Sequence, residues 1–283
     1  MKKSSILAVG LLAAIALVAG ACGKKPTAQK EAAPAPTAEE KAAEAPVAPA
    51  AGAGSIKGKI NFTGTAPVAA DLNRQSDPFC AQTKMKAQDI IVNANNTLKN
   101  VAVRVIGATG GEPAGAKVEV DQKNCMYEPR VLVGWPDQDV TIVNSDPTLH
   151  NVHTYAFIGN KTLFNQAQPK GAPPIIKQFS KDDGEIIKFK CDVHPWMTGW
   201  MILSDNGFSA VTGETGEFEI KGVPVGTYTL KTFHEQYGEK TQQVTVEADK
   251  EAVVDLSYDG TEKAAFKYRE VHIGLNEGAH EHH

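Results

Sequence analysis

Aromatic side chains are scarce in this 283-residue chain, at 7%, and it has only four cysteines. Charge of one sign is also lacking: 29 basic and 33 acidic residues leave a formal net of −4. That balance argues against a nucleic-acid partner and supplies no broad cationic face for anionic lipid. The apolar run Ile6–Val18 is shorter than a comfortable membrane span. Long amphipathic helical stretches are missing, which turns the fold class toward strands. The metalloprotease pattern His-Glu-x-x-His does not occur, and the haem-attachment pattern fails because Cys191 stands alone before His194.

What the chain does carry is concentrated in Phe189–Met197 (FKCDVHPWM) and, upstream, in Asn144–Thr154 (NSDPTLHNVHT). The first places a thiolate, an imidazole and a thioether on one turn at a strand end, and the second offers another imidazole. Two imidazoles and a thiolate with a weak axial thioether suit a metal that shuttles between Cu(I) and Cu(II) with little rearrangement. Ile187, Phe189 and Cys191 alternate inward along the expected strand Gly184–Lys190, and Pro195 restricts the loop that returns His194 and Met197. Zinc also takes thiolate and imidazole, but methionine is a poor zinc ligand.

These two segments resemble those of cupredoxins, the small blue-copper electron carriers, with a ligand loop of the amicyanin type. The resemblance implies one mononuclear copper held by His150, Cys191, His194 and Met197, with Asn151 tying the two ligand segments together. Trp196 departs from the family pattern and sets a large aromatic surface beside an expected exposed edge of His194, so Pro195 and Trp196 form the expected electron-transfer surface. His153, three residues past His150, points to the other face of a continuous strand and reads as a surface hydrogen-bonding group.

The amino terminus reads as an export signal over residues 1–21, with Lys2 and Lys3 before the apolar run. Ala19–Cys22 resembles a bacterial lipoprotein box, which implies lipidation of Cys22 and a membrane attachment through that lipid. Gly23 after it favours the outer membrane, facing the periplasm of a bacterial envelope. Residues 22–54 are an Ala, Pro, Glu and Lys tether too poor in large apolar side chains to repay ordering. With Cys22 and Cys191 assigned, Cys80 and Cys125 remain as an expected disulfide, worth about 2–4 kcal/mol. A second soft-metal site built from Cys80, Cys125 and Met126 is the alternative.

Short alternating strands from Ile56 to Ser204 predict an all-β protein: a Greek-key cupredoxin sandwich over 55–204, longer than the minimum, with excess near Cys80 and in an excursion over 160–172. Trp200, Met201, Met126 and Tyr127 read as packing residues. Residues 205–260 hold four further strands with glycine turns and resemble the carboxypeptidase regulatory-like, transthyretin-type domain, a likeness that carries no peptidase. His234-Glu235 reads as a turn or interdomain contact. The tail, 261–283, carries His272, His280, His282 and His283, an unspecific metal-binding composition.

The resulting expectation is a copper-binding envelope protein that carries one electron and is not itself a catalyst. Its partner would be an exported redox protein such as a c-type cytochrome or a copper enzyme. Copper storage or delivery, and envelope protein or polysaccharide binding with structural copper, are the other functions kept in view.

Overall fold

The computed structural model describes residues 52–111 and 117–262. The expected signal, Cys22, nearly all of the tether and the tail histidines lie outside the described residues. Within them the protein is all-β: the helical elements are two single 3-10 turns, Cys80–Gln82 and Lys181–Asp183.

The strands are β1 (Ala53–Phe62), β2 (Ala102–Ile106), β3 (Val118–Lys123), β4 (Met126–Glu128), β5 (Val131–Gly134) and β6 (Val140–Asn144). Next come β7 (His150–Ala156), β8 (Thr162–Gln168), β9 (Ile175–Lys177), β10 (Ile186–Lys190) and β11 (Thr198–Leu203). The last six are β12 (Ser209–Val211), β13 (Glu217–Pro224), β14 (Gly226–His234), β15 (Gly238–Val246), β16 (Glu251–Val253) and β17 (Leu256–Tyr258).

Two sheets, ordered β5-β11-β10-β7-β8 and β4-β3-β6-β9, enclose the first core. Alternation fills it from both sides: Val118, Val120, Val140 and Ile142 come from one sheet, and Val152, Ile187, Phe189 and Met201 from the other. Phe189 meets Tyr127 and Phe179 edge to face, with centroids 5.9 Å apart in each pair. The second core lies between the sheets β12-β2-β14-β15 and β13-β1-β16, with β17 also paired to β1.

The sheets do not follow the division expected near residue 204. β1 runs antiparallel to β13 and parallel to β16 and β17, and β2 lies between β12 and β14. Ile56, Ile60, Val103 and Val105 therefore pack against Phe218, Ile220, Leu230 and Val244. The physical reason is burial: the carboxy-terminal strands alone leave an apolar face and open edges that β1 and β2 cover. The first sandwich, β3 to β11, is thus inserted between the second and third strands of the other one.

Two smaller differences concern single segments. Asp89–Asn93 is not a strand but makes one bridge, Val92 to Leu98. The excursion over 160–172 contains β8, which pairs with β7 from His150 to Tyr155.

The two sandwiches meet through Ala102, Val131, Ile186, Trp200, Ile202 and Phe233. Glu235 crosses this junction, accepting from both Arg130 Nη2 at 2.8 Å and Trp200 Nε1 at 2.9 Å. Arg130 Nη1 in turn donates to Thr198 O at 3.2 Å, immediately after Met197. Glu235 is therefore the interdomain contact of the His234-Glu235 pair, whereas His234 stacks on Tyr237 in its own sandwich, with ring centroids 4.6 Å apart.

Candidate metal centre

The site is built at one end of the first sandwich, where β7 begins and β10 ends. His150 opens β7 and Cys191 directly follows β10; these antiparallel strands pair from His153–Lys190 to Ala156–Ile187, which brings their ends together. The loop after Cys191 closes on itself: Met197 N donates to His194 O at 2.9 Å, and Cys191 N to Met197 O at 3.3 Å.

These constraints set His150 Nδ1 2.9 Å from His194 Nδ1, and Cys191 Sγ 3.7 Å from the same His194 nitrogen. The three donor atoms lie within 4.8 Å of one another. All three side chains are buried, and Met197, fully buried, belongs to the same core as Cys191. Asn151 N donates to Cys191 Sγ at 3.3 Å. Asn151 also ties the ligand segments: its Oδ1 accepts from Asp192 N at 3.2 Å and its Nδ2 donates to Asn165 Oδ1 at 2.7 Å.

Each imidazole is held from behind by a carboxylate. His150 Nε2 lies 2.8 Å from Asp146 Oδ2, and His194 Nε2 lies 3.3 Å from Asp77 Oδ2. Such partners fix ring orientation and raise ligand basicity. Burial pulls the His150 imidazole down, but Asp146 and Cys191 outweigh it and the net shift is upward. Burial and the neighbouring His150 carry His194 the other way, below its ordinary value. Burial pushes Asp77 up, yet the Thr148 hydroxyl, the Cys80 and Phe79 amides and His194 prevail and hold it at about 2.

The sequence reading missed both carboxylates and the role of Tyr127. Tyr127 is more than packing: its hydroxyl donates to Asn151 O at 2.8 Å and Lys190 O at 3.0 Å, bridging the two ligand strands. The carboxylates did leave a signal. Each sits in a Ser-Asp-Pro tripeptide, Ser76–Pro78 and Ser145–Pro147, a turn composition that frees the aspartate to cap neighbouring amides.

The expected exposed edge of His194 is corrected here. His194 is only 1% exposed, because the segment between β1 and β2 passes over it. This cap is pinned by the Cys80–Cys125 disulfide, whose Cys80 Sγ lies 3.7 Å from His194 Nε2. Pro195 remains exposed and Trp196 half-buried. The Trp196 ring is 5.0 Å from that of His194, and its Nε1 donates to Cys125 O at 3.1 Å. Trp196 also lines a cleft of about 320 Å³ with Leu72, Asp89, Lys188 and Gln236.

His153 stands apart from the triad. It stacks on Tyr155 at 4.0 Å, and its Nδ1 lies 2.9 Å from Asp192 Oδ2.

Residues 202–258 match the family model of the carboxypeptidase regulatory-like domain. No curated protein matches the chain. Among solved structures, a purple cupredoxin from Nitrosopumilus maritimus is similar over 31% of this chain and 100% of its own, at 21% identity and a TM-score of 0.27. The Cu(I) form of an amicyanin mutant is similar over 36% of this chain and 98% of its own, at 22% identity and a TM-score of 0.28. A copper-containing nitrite reductase from Thermus scotoductus SA-01 is similar over 35% of this chain but 24% of its own, at 21% identity and a TM-score of 0.28. The regulatory-like stretch covers β12 to β17, so β1 and β2 are supplied to that sandwich from outside it.

Proposed function

We propose that this chain holds one mononuclear copper and serves one-electron transfer. The observation that carries the reading is the buried triad of His150 Nδ1, His194 Nδ1 and Cys191 Sγ, all facing one another. The donor set fits copper: a soft thiolate, two imidazoles and Met197 beside them, with an amide N–H on the sulfur. When bound there, copper supplies the change between Cu(I) and Cu(II).

The chain's own residues do the rest. Asp146 and Asp77 hold the imidazoles with Nδ1 inward, so that little has to move when charge changes. Tyr127 and Asn151 brace the two strands, and the cap excludes water. Because every donor is buried, a substrate has no open path to the site, which favours a carrier over a catalyst.

Docking would use Pro195 and Trp196, the aromatic surface nearest His194 now that the cap covers His194 itself. The partner would be an exported redox protein such as a c-type cytochrome or a copper enzyme, met at an envelope membrane to which lipid on Cys22 tethers the chain. Copper storage or delivery is the second reading, favoured by the same enclosure of the donors.

The test is to load the purified protein with copper and record visible and spin-resonance spectra beside Cys191→Ser. An intense thiolate-to-copper band, absent in the variant, is expected. A colourless protein that keeps zinc would refute the reading.

A further inference from the structure

The disulfide lies against both candidate ligand histidines. Cys80 groups with Asp77 and His194, and Cys125 with Asp146 and His150; within each trio the donor atoms lie within 4.8 Å of one another. Cys80 Sγ faces His194 from behind, 3.7 Å from Nε2, while Nδ1 of the same ring faces the inner triad.

The two cysteine-bearing turns are held together by more than the S–S bond. Asp77 Oδ1 accepts from Phe79 N at 2.8 Å and Cys80 N at 3.0 Å, while Thr148 Oγ1 donates to Asp77 Oδ2 at 2.7 Å. Asp146, two residues before Thr148, accepts from Asn124 N at 2.8 Å and Cys125 N at 2.7 Å. Arg74 spans both turns, donating to Thr83 O at 3.1 Å and to Asn124 O. It is 3% exposed, and its Nε has no hydrogen-bond partner. Opening the S–S bond would therefore leave two thiols facing each other on a braced frame, beside a buried cation with a donor to spare.

We propose that the Cys80–Cys125 disulfide masks a second soft-metal site, which takes one Cu(I) between the two thiolates once the disulfide is reduced. The reductant is a dithiol: its two S–H bonds give way to its own disulfide while the Cys80–Cys125 bond is replaced by two S–H groups. One cuprous ion then displaces the two thiol protons, leaving a bis-thiolate complex of net charge −1. Two thiolates suit Cu(I) by softness. Access comes through the cap. Apart from one bridge, Asp71 to Lys86, and the Cys80–Gln82 turn, residues 63–88 have no regular structure that must be broken.

The test is a Cu(I) titration of the full chain against a chromophoric Cu(I) chelator, without oxygen and with Cys22→Ser in every arm. One arm is kept under ascorbate, which leaves the disulfide intact; the other is treated with a phosphine that is then removed. The reduced arm is expected to bind one more Cu(I) per chain, and Cys80→Ser/Cys125→Ser to lose that gain. The count is a difference, so it does not depend on the inner triad: in Cys191→Ser the gain should persist even if the electron-transfer reading fails. The proposal is overturned if thiol labelling shows Cys80 and Cys125 freed in the wild-type chain and no additional ion binds. It is equally overturned if the folded double variant keeps the gain.

Discussion

Reducing the Cys80–Cys125 disulfide should cost the protein stability mainly through the unfolded chain, and the size of that cost can be worked out. The bridge spans 45 residues. Closing a loop of that length in the denatured ensemble costs about 13 cal/mol/K, or about 4 kcal/mol at room temperature. On the native side the turns keep the amide bonds to Asp77 and Asp146 and the Arg74 braces, so little native structure should be lost. Urea unfolding followed by tryptophan fluorescence, oxidised against phosphine-reduced, should show the midpoint falling by roughly 1.5–3 M at a urea slope typical of a domain of this size. Near-ultraviolet circular dichroism in dilute buffer should be nearly unchanged, because Trp196 and Tyr127 keep their neighbours. A loss under about 1 kcal/mol would refute the entropic account. A collapse of the near-ultraviolet signal would show instead that the S–S bond, and not the aspartates and Arg74, holds the cap.

Three further outcomes follow from the geometry. Asp146→Asn should leave the fold intact and weaken metal binding about 10–100-fold in a chelator competition, since His150 loses the carboxylate behind it. Gly58→Ala should destabilise by about 3 kcal/mol in thermal unfolding, because its Cβ would stand 1.8 Å from Val254 O; Gly213, with nothing within 4 Å, is the neutral control. Tyr237, buried against Phe62 and His234, has its phenol pushed by burial up to about 12. A raised folded value means its stabilising contribution is complete below the ordinary phenol range near 10 and is lost as pH rises through about 12. An alkaline absorbance titration should therefore show Tyr237 ionising late and together with unfolding, and an early, reversible titration of all six tyrosines would contradict the burial.

Much of this was legible in the sequence because it is local. The alternation Ile187, Phe189, Cys191 fixes a strand and its inward face within a few residues, and the Cys-x-x-His-x-x-Met spacing fixes a loop. The disulfide followed from counting. What was not legible is long-range pairing. β1 looks like any alternating strand, and nothing in Ser55–Phe62 states that its neighbours are Glu217–Lys221 and Glu251–Val253, about 160 and about 200 residues later. The same limit hid the cap: residues 63–88 have loop composition, and only in three dimensions does Asp77 meet His194, 117 residues away. Glu235 was readable as a junction residue, but its partners Arg130 and Trp200 were not.

The strand exchange gives the second sandwich a part in the candidate metal site that its family match does not suggest. β1 and β2 are both locked into that sandwich, so the chain joining them must leave it and return to it. On the way it covers His194 and carries Asp77 and Cys80 to the site. The regulatory-like domain is then the platform on which both ends of the cap are mounted, which holds the cap over the candidate site. Replacing residues 69–87 by a short Gly-Ser linker tests this. Both cores lack members only at Cys80 and Phe79, so the sandwiches should remain folded. His194 should become accessible, and copper bound at the triad should pass to an external chelator at least tenfold faster. If the shortened chain releases copper at the wild-type rate while folded, the enclosure of the site comes from the ligand loop itself and the platform argument fails.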